Sequence, residues 1–280
     1  MKTLFPNTIL SHLQDLAQKD DQDIDLAETA LMLAQIQYPD ISPDRYEHHL
    51  KLIAKQTHER FVKLKTKTAK NMVDTIRSVL MDEQGYKGDN ETYDDLQNIN
   101  LIRVIERRKG LPIILCILSL HIARAQGWTV HGLTIPGHVL CRLDQDGQRI
   151  IFDPFNNCQE LDAAGVRSLI KKTVGAHAEL SATYFEPSRN RDILIRLQNN
   201  LKFRQIENED YDNALKTVET MRSIDPDEYR LLLEAGVLYA RVGQSLAAID
   251  NLERYITLAP DNQDRHEASM LLQDLRTSLN

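Results

Sequence analysis

The chain has 280 residues, of which 42% are hydrophobic and 27% are charged, and its formal net charge is −7. This length predicts about two ordinary domains, and the composition is that of a folded protein rather than a disordered chain. No stretch of about 18 apolar residues occurs, which argues against a membrane-spanning helix. Residues 1–23 lack a continuous apolar segment with a cleavage site, so we expect no signal peptide. Three cysteines without a CxxC pair favour a reducing compartment, and we expect a cytoplasmic protein.

Residues 1–95 are predicted to form a helical N-terminal region. Apolar residues recur at helical spacing in three segments, at residues 25–38, 42–61 and 68–81. The polar, glycine-containing segment that follows, up to residue 95, predicts a loop or an exposed connection to the next domain.

Charge is distributed unevenly within this region. Residues 48–70 contain seven Lys or Arg residues against only Glu59, whereas residues 15–28 contain six carboxylates against Lys19. Two interpretations remain open: two solvated helix faces that attract each other, or a basic patch that binds an acidic partner.

Residues 96–190 are predicted to form the central domain. Pro112 can begin a helix whose following residues are nearly all apolar, and Gly127 can end it. A helix that is apolar on all sides belongs in the centre of a domain. The segments 128–143 and 149–155 are rich in Val, Ile and Phe, and the polar turn between them predicts a hairpin after this helix.

This hairpin brings His138 and Asp153 together if its turn has two residues. With the turn at 145–146 they lie directly opposite each other, and with the turn at 146–147 they are diagonal neighbours on the same face. A three-residue loop would separate them. Cys141 alternates with His138, so we expect it on the opposite face, in the core.

Cys116 precedes this pair along the chain, and the three residues have two interpretations. A thiol, an imidazole and a carboxylate could form a nucleophilic triad, in which the thiolate attacks and the imidazole transfers the proton. Alternatively, Cys116 is a small hydrophobic residue inside an apolar helix, and the histidine and aspartate bridge two strands for structural reasons.

Residues 191–280 contain an internal repeat with a period of 34 residues. The shift aligns small residues and prolines of the two copies, Ala214 with Ala248 and Pro226 with Pro260. A period of this length, with small alanines at the helix crossing and a proline after the second helix, is typical of tetratricopeptide repeats. A capping helix is predicted at residues 263–279.

Several motifs along the chain form a recognisable set: ERRKGLP, PGH, DPFN and the connecting segment YKGDNETYDD. They resemble the bacterial Sir-type invasion-regulator family, which carries a transglutaminase-like domain followed by tetratricopeptide repeats. The resemblance implies a papain-like core in which His138 and Asp153 match two members of a Cys-His-Asp triad. In catalytic relatives the cysteine begins the central helix directly after a glycine, whereas Cys116 lies about one turn farther along.

Together these observations predict an α+β protein with a helical N-terminal layer, a papain- or transglutaminase-like core with a small antiparallel sheet, and C-terminal tetratricopeptide repeats. We expect a non-catalytic regulatory or scaffold protein that binds a protein or peptide through its repeats and a degenerate cleft. The alternative is an acyl-transfer enzyme, a protease, amidase or transglutaminase that uses Cys116, His138 and Asp153. The candidate binding residues are Arg107, Arg108 and Asn156. No metal, cofactor, membrane or nucleic acid is expected as a partner, and the oligomeric state is left open.

Overall fold

The structure, a computed structural model, describes residues 7–278, with side chains from residue 9 onward. The prediction that no signal peptide is present rests in part on residues 1–6, and these lie outside the described residues. None of the helices in the described part of the chain combines the length and the hydropathy needed to cross a bilayer.

The chain divides into two compact units. One unit is Asp20–Ile193, and the other combines the described residues up to Lys19 with those from Leu194 onward. The division of the sequence at residues 95 and 190 stays a prediction.

The first unit begins with helices that agree with the predicted segments. They are α2 (Leu26–Gln37), α3 (Asp44–Phe61) and α4 (Ala69–Arg77). The helix α1 (Asn7–Gln18) of the other unit precedes them, and α5 (Leu101–Arg107), which no predicted segment covers, follows them. Thr68 starts α4 with a reciprocal capping box. The chain continues from α4 as a π-helical turn at Ser78–Glu83. Leu80 is buried in this turn, beyond the end of the regular α-helix.

The central helix α6 (Pro112–Arg124) is the most deeply buried helix of this unit. Pro112 occupies its first turn, where a missing N–H costs nothing, and every residue from Pro112 to Leu120 is buried. Gly127 follows the helix with a φ of 73°, as expected for a glycine that ends a helix.

A four-stranded antiparallel sheet follows α6. Its strands pair in chain order: β3 (Thr129–Ile135), β4 (His138–Gln145), β5 (Gln148–Asp153) and β6 (Gln159–Leu161). A separate parallel pair of short strands, β1 (Lys87–Gly88) and β2 (Lys109–Gly110), precedes α6 in the chain. The expected hairpin is therefore extended, because a turn at Pro136–Gly137 divides its first arm into two strands. One face of the sheet packs on α7 (Ala163–Val174) through apolar residues that include Leu140 and Ile151. Gly132 and Cys141 pair with each other on the other face, against Cys116 of α6.

The second unit contains the helical repeat, and α1 packs against one of its helices, α9. Its helices are α8 (Asn190–Glu207), which begins in the first unit, then α9 (Tyr211–Ile224), α10 (Arg230–Arg241), α11 (Ser245–Leu258) and α12 (Gln263–Ser278). A shift of 34 residues carries both ends of α9 onto the ends of α11, and Glu207 onto Arg241. The predicted capping helix corresponds to α12, and Leu279 lies outside the described residues.

Candidate functional site

His138 and Asp153 form a buried hydrogen-bonded pair at one end of the sheet. His138 begins β4, Asp153 ends β5, and the His138 Nε2 lies 2.9 Å from the Asp153 Oδ2. Their exposed fractions are 6% and 1%. Gln145 pairs with Gln148, so the turn is the two-residue Asp146–Gly147 turn, and of the two predicted registers the chain adopts the one that makes His138 and Asp153 diagonal neighbours on one face.

The Asp153 carboxylate is held by two further donors from the loop after β5. Its Oδ1 accepts the backbone N–H of Phe155 at 3.0 Å, and its Oδ2 accepts the side-chain amide of Asn156 at 2.6 Å. The structure therefore brings Asn156, a predicted binding residue, to the pair. Asn157 and Cys158, which follow, both have a φ of 54°, in the left-handed region that L-residues rarely adopt, so the chain turns sharply here.

Aromatic rings cover the imidazole. The ring of Phe155 meets the His138 ring edge to face at 5.8 Å, and Tyr93 meets Phe155 in the same way at 6.0 Å. A Cβ on Gly88 would lie 2.6 Å from the Phe155 ring, so the ring packs on the bare backbone of that glycine.

The segment that supplies Gly88 and Tyr93 is mostly exposed and non-helical, as predicted, but part of it packs into the domain. Tyr86 and Asp89 are buried, and β1 pairs with β2 in register, Gly88 opposite Gly110. The polarity and glycine content of this segment are those of a loop. They give no indication that Gly88 is needed because the Phe155 ring packs on its backbone. The motif YKGDNETYDD was the available signal.

The hydrogen bonds of Arg107 and Arg108 are to residues other than His138 and Asp153. Arg107 donates to the Asn98 side chain at 3.0 Å and to the Asp89 carboxylate at 3.3 Å. The second bond holds Asp89, which directly follows Gly88, in place. Arg108 contacts Tyr86 and His49, as described next. Both guanidinium groups thus hold the scaffold around the site, and their role in binding a partner stays a prediction.

His49, Tyr86 and Arg108 form a second buried polar cluster. The His49 Nε2 lies 2.8 Å from the Tyr86 hydroxyl and 2.7 Å from the Arg108 Nη1. Burial, followed by the charge of Arg108, lowers the pKa of His49 to about 4, so the imidazole is neutral at pH 7 and can accept a hydrogen bond. Burial raises the pKa of Tyr86 to about 12.

Cys116 is fully buried, with an exposed fraction of 0%, and its sulfur faces the sheet. The Sγ lies 3.3 Å from the Cys141 Sγ and 3.6 Å from the Leu140 carbonyl oxygen. Burial, together with the hydrogen bond to Cys116, raises the pKa of Cys141 well above that of a free thiol. The β3–β4 pairing is uninterrupted, so side chains alternate along β4, and Cys141 and His138 belong to opposite faces.

These contacts determine what the site can do chemically. The imidazole and carboxylate can hold and exchange a proton, with Asp153 fixing the orientation of the ring. The thiol of Cys116 makes its hydrogen bonds to the sheet rather than to the imidazole. Among residues 7–278 no group of three His, Cys, Asp or Glu side chains is placed to hold a metal ion.

The repeat unit presents a second candidate surface. Phe203 and Val237, which the 34-residue shift superposes, are exposed by 58% and 38%, whereas their repeat-related neighbours Leu201 and Ala235 are buried. A separate cleft of about 480 Å³ lies near the end of α9, lined by charged and apolar residues that include Arg222, Tyr229, Leu232, Arg254 and Leu258. These features expose apolar groups on a helical repeat, which is typical of a protein-binding surface.

Comparison with known proteins identifies two kinds of sequence along the chain. The model of a family described as the transglutaminase-like superfamily matches residues 44–199, and a tetratricopeptide repeat model matches residues 201–273. The predicted fold class and repeats are therefore confirmed.

Similar curated proteins come from several bacteria. A UPF0162 protein of Xylella fastidiosa is 28% identical over 89% of this chain and 89% of its own length. A UPF0162 protein of Vibrio cholerae is 24% identical over 89% of this chain and 91% of its own length. Protein SirB1 of Salmonella typhimurium is 20% identical over 68% of this chain and 71% of its own length, which supports the predicted Sir-type resemblance.

Proposed function

The chain belongs to the transglutaminase-like superfamily and carries tetratricopeptide repeats, and from this premise we propose that it is a non-catalytic regulatory or scaffold protein that binds a protein partner. The observation that carries the proposal is the position of Cys116, whose sulfur is fully buried against Cys141 and the sheet.

A cysteine nucleophile has to be an accessible thiolate next to a base. The Cys116 thiol is fully buried, and its sulfur contacts the Cys141 sulfur and the Leu140 carbonyl rather than an imidazole. Cys116 also lies about one turn after the start of α6, since Pro112 and three apolar residues precede it in the helix. The degenerate cleft at His138 and Asp153 then serves recognition or structure.

The partner-binding half of the proposal is supported by the repeats. Helical repeats expose continuous surfaces that bind peptides and helices, and here Phe203 and Val237 provide exposed apolar side chains at equivalent positions of two repeats. We place the partner's contact on the repeats and on the cleft beside His138.

Slow alkylation of the native protein with iodoacetamide at near-neutral pH, followed by peptide mapping, tests whether the thiol is inert. We expect Cys116 to be labelled no faster than Cys141 and Cys158, and only after unfolding in urea. Fast and selective labelling of Cys116 that disappears in His138→Ala would overturn the proposal. Partner binding is tested by crosslinking with the wild type and with Phe203→Ser/Val237→Ser, which should lose the repeat-dependent product.

An acyl-transfer enzyme is the second candidate, and the 2.9 Å contact between His138 and Asp153 favours it. This function would need Cys116 to reach the imidazole. Incorporation of a fluorescent amine into a glutamine-containing protein, or hydrolysis of a peptide thioester, should occur with the wild type and be absent from Cys116→Ala if this candidate is correct.

A further inference from the structure

Four exposed lysines of the first unit form no ion pair with any carboxylate in the part of the chain that the structure describes. They lie on the exposed side of α3 and in the non-helical segment that follows it: Lys51, Lys63, Lys65 and Lys67. We call these four residues the lysine surface. Lys63, Lys65 and Lys67 alternate along the segment between α3 and α4, and all four are exposed.

Nearby cations are neutralised, which distinguishes them from the lysine surface. Lys55 pairs with Glu59 at 3.6 Å, Arg60 pairs with Glu83, and Lys70 pairs with Asp74 at 3.3 Å. Within the described residues none of the four lysines has a carboxylate within ion-pair distance, and Lys67 lies over the Phe61 ring at 5.7 Å. Carboxylates thus pair with the neighbouring cations, whereas the four lysines have no carboxylate partner among the described residues.

Stabilisation of α3 by its dipole explains at most part of this pattern. Cations are favourable near a helix C-terminus, but the effect falls off within the last turn. His58 and Arg60 already occupy that turn, whereas Lys65 and Lys67 lie beyond it. Lys63, Lys65 and Lys67 lie within five residues of one another, so a chain with a net charge of −7 carries unpaired positive charge in one short segment, which attracts negatively charged molecules.

Two aliphatic side chains indicate which class of molecule fits. Leu52 and Val62, beside Lys51 and Lys63 in the chain, are exposed by 38% and 48%. The nearest aromatic ring, Phe61, is buried edge to face against Trp128 at 4.6 Å, so it is not available to stack on a nucleic-acid base. Exposed aliphatic groups beside ammonium groups complement carboxylates interspersed with apolar side chains.

We propose that the lysine surface binds an acidic protein segment that also carries aliphatic side chains, with Leu52 and Val62 contacting its apolar residues. The inference goes beyond the proposed function, because it adds a contact surface outside the repeats and holds whether or not Cys116 reacts. Binding through four exposed ammonium groups should associate quickly and weaken with salt, since exposed charges are screened over about 8 Å at physiological ionic strength.

Fluorescence anisotropy with the full chain tests the proposal. The probe is a fluorescein-labelled peptide of repeated Glu-Glu-Leu triplets, and its counterparts contain Gln-Gln-Leu or Glu-Glu-Ser triplets. The variant Lys63→Glu/Lys65→Glu is compared with Lys171→Glu/Lys172→Glu, which makes the same change in net charge at exposed lysines near the end of α7. Circular dichroism verifies that both variants are folded.

We expect the Glu-Glu-Leu peptide to bind the wild type, and Lys63→Glu/Lys65→Glu to weaken binding by about tenfold or more, against less than about twofold for the α7 control. The Gln-Gln-Leu peptide should not bind, and the Glu-Glu-Ser peptide and Leu52→Ser should each reduce affinity. Equal losses in both charge variants would overturn the proposal, as would no binding by the wild type. Tighter binding of oligothymidylate or of phosphatidylserine vesicles would overturn it in favour of nucleic acid or membrane. We expect the lysine variants to leave Cys116 labelling unchanged, so the two proposals fail separately.

Discussion

The ring of Phe155 rests on the backbone of Gly88, where an added Cβ would lie 2.6 Å from two ring carbons. Phe155 in turn meets the His138 ring edge to face, and its N–H donates to Asp153. The geometry of the buried pair therefore depends on a glycine from a segment distant in sequence, which the β1–β2 pairing holds in place.

Gly88→Ala should destabilise the protein by about 1–3 kcal/mol, because the ring or the strand has to move to admit a methyl group. Urea unfolding followed by circular dichroism measures the change. Phe155→Leu makes room at the same place, so the double variant should be less destabilised than the sum of the single variants. Additive effects would show that the contact does not limit the packing.

Asp153→Ala should cost about 2–4 kcal/mol, because it leaves the His138 imidazole, the Phe155 N–H and the Asn156 amide without their acceptor in a buried site. Asn156→Ala removes one donor from an exposed position and should cost about 1 kcal/mol. Denaturant midpoints of the two variants provide the comparison. Equal losses would mean that the carboxylate is not the centre of this network.

Ala214→Leu and Ala248→Leu should each destabilise the repeat unit by about 1–3 kcal/mol through overpacking. Both alanines are fully buried, and a Cβ on Gly236 would lie 2.8 Å from Leu252 and 3.5 Å from the Ala248 carbonyl, so the helices cross closely. Thermal unfolding measures the effect. Asp250→Leu, on the exposed side of α11, is the control and should stay within about 0.5 kcal/mol. No change in either alanine variant would contradict the close crossing.

Stability should decrease as the pH falls below about 6.5, with part of the loss coming from His49. Its pKa is lowered from 6.5 to about 4 in the folded protein, so between these values the unfolded chain binds more protons. The contribution is complete above pH 6.5 and is lost progressively towards pH 4, by up to roughly 3 kcal/mol. Urea unfolding at pH 7.5 and pH 5 should show a smaller difference for His49→Gln than for the wild type. The exposed neighbour His48, changed to Gln, should behave as the wild type.

Sequence patterns predicted the features that depend on local chemistry. The Asp146–Gly147 turn has positive φ at both residues, which is the requirement that Asp-Gly satisfies in a two-residue hairpin, so the relation of His138 to Asp153 followed from counting. The repeat followed from its period, and α6 from Pro112 and Gly127. Each of these signals acts between residues that are close in the chain or periodic along it.

Contacts between distant segments were not accessible in this way. The turn at Pro136–Gly137 is a local exception, because the Pro-Gly pair is itself a turn signal that the strand-forming residues on either side outweighed in the prediction. The contact of Gly88 with Phe155 joins segments whose proximity no local pattern encodes. The thiol contact between Cys116 and Cys141 likewise depends on how α6 lies on the sheet, although the burial of both residues was expected.

Lys202, a buried residue of α8, connects the two repeats by donating to Glu234 of α10 at 2.6 Å, and also contacts Asn199 within its own helix. In a solenoid, cooperativity resides in the interfaces between neighbouring repeats rather than in each helix pair alone. If the second repeat unfolded alone, the buried Lys202 ammonium group would lose its carboxylate partner. The free-energy cost of that unpaired buried charge would destabilise the first repeat. We therefore expect the ion pair to couple the unfolding of the two repeats, so that the unit melts as one cooperative element rather than as two in sequence.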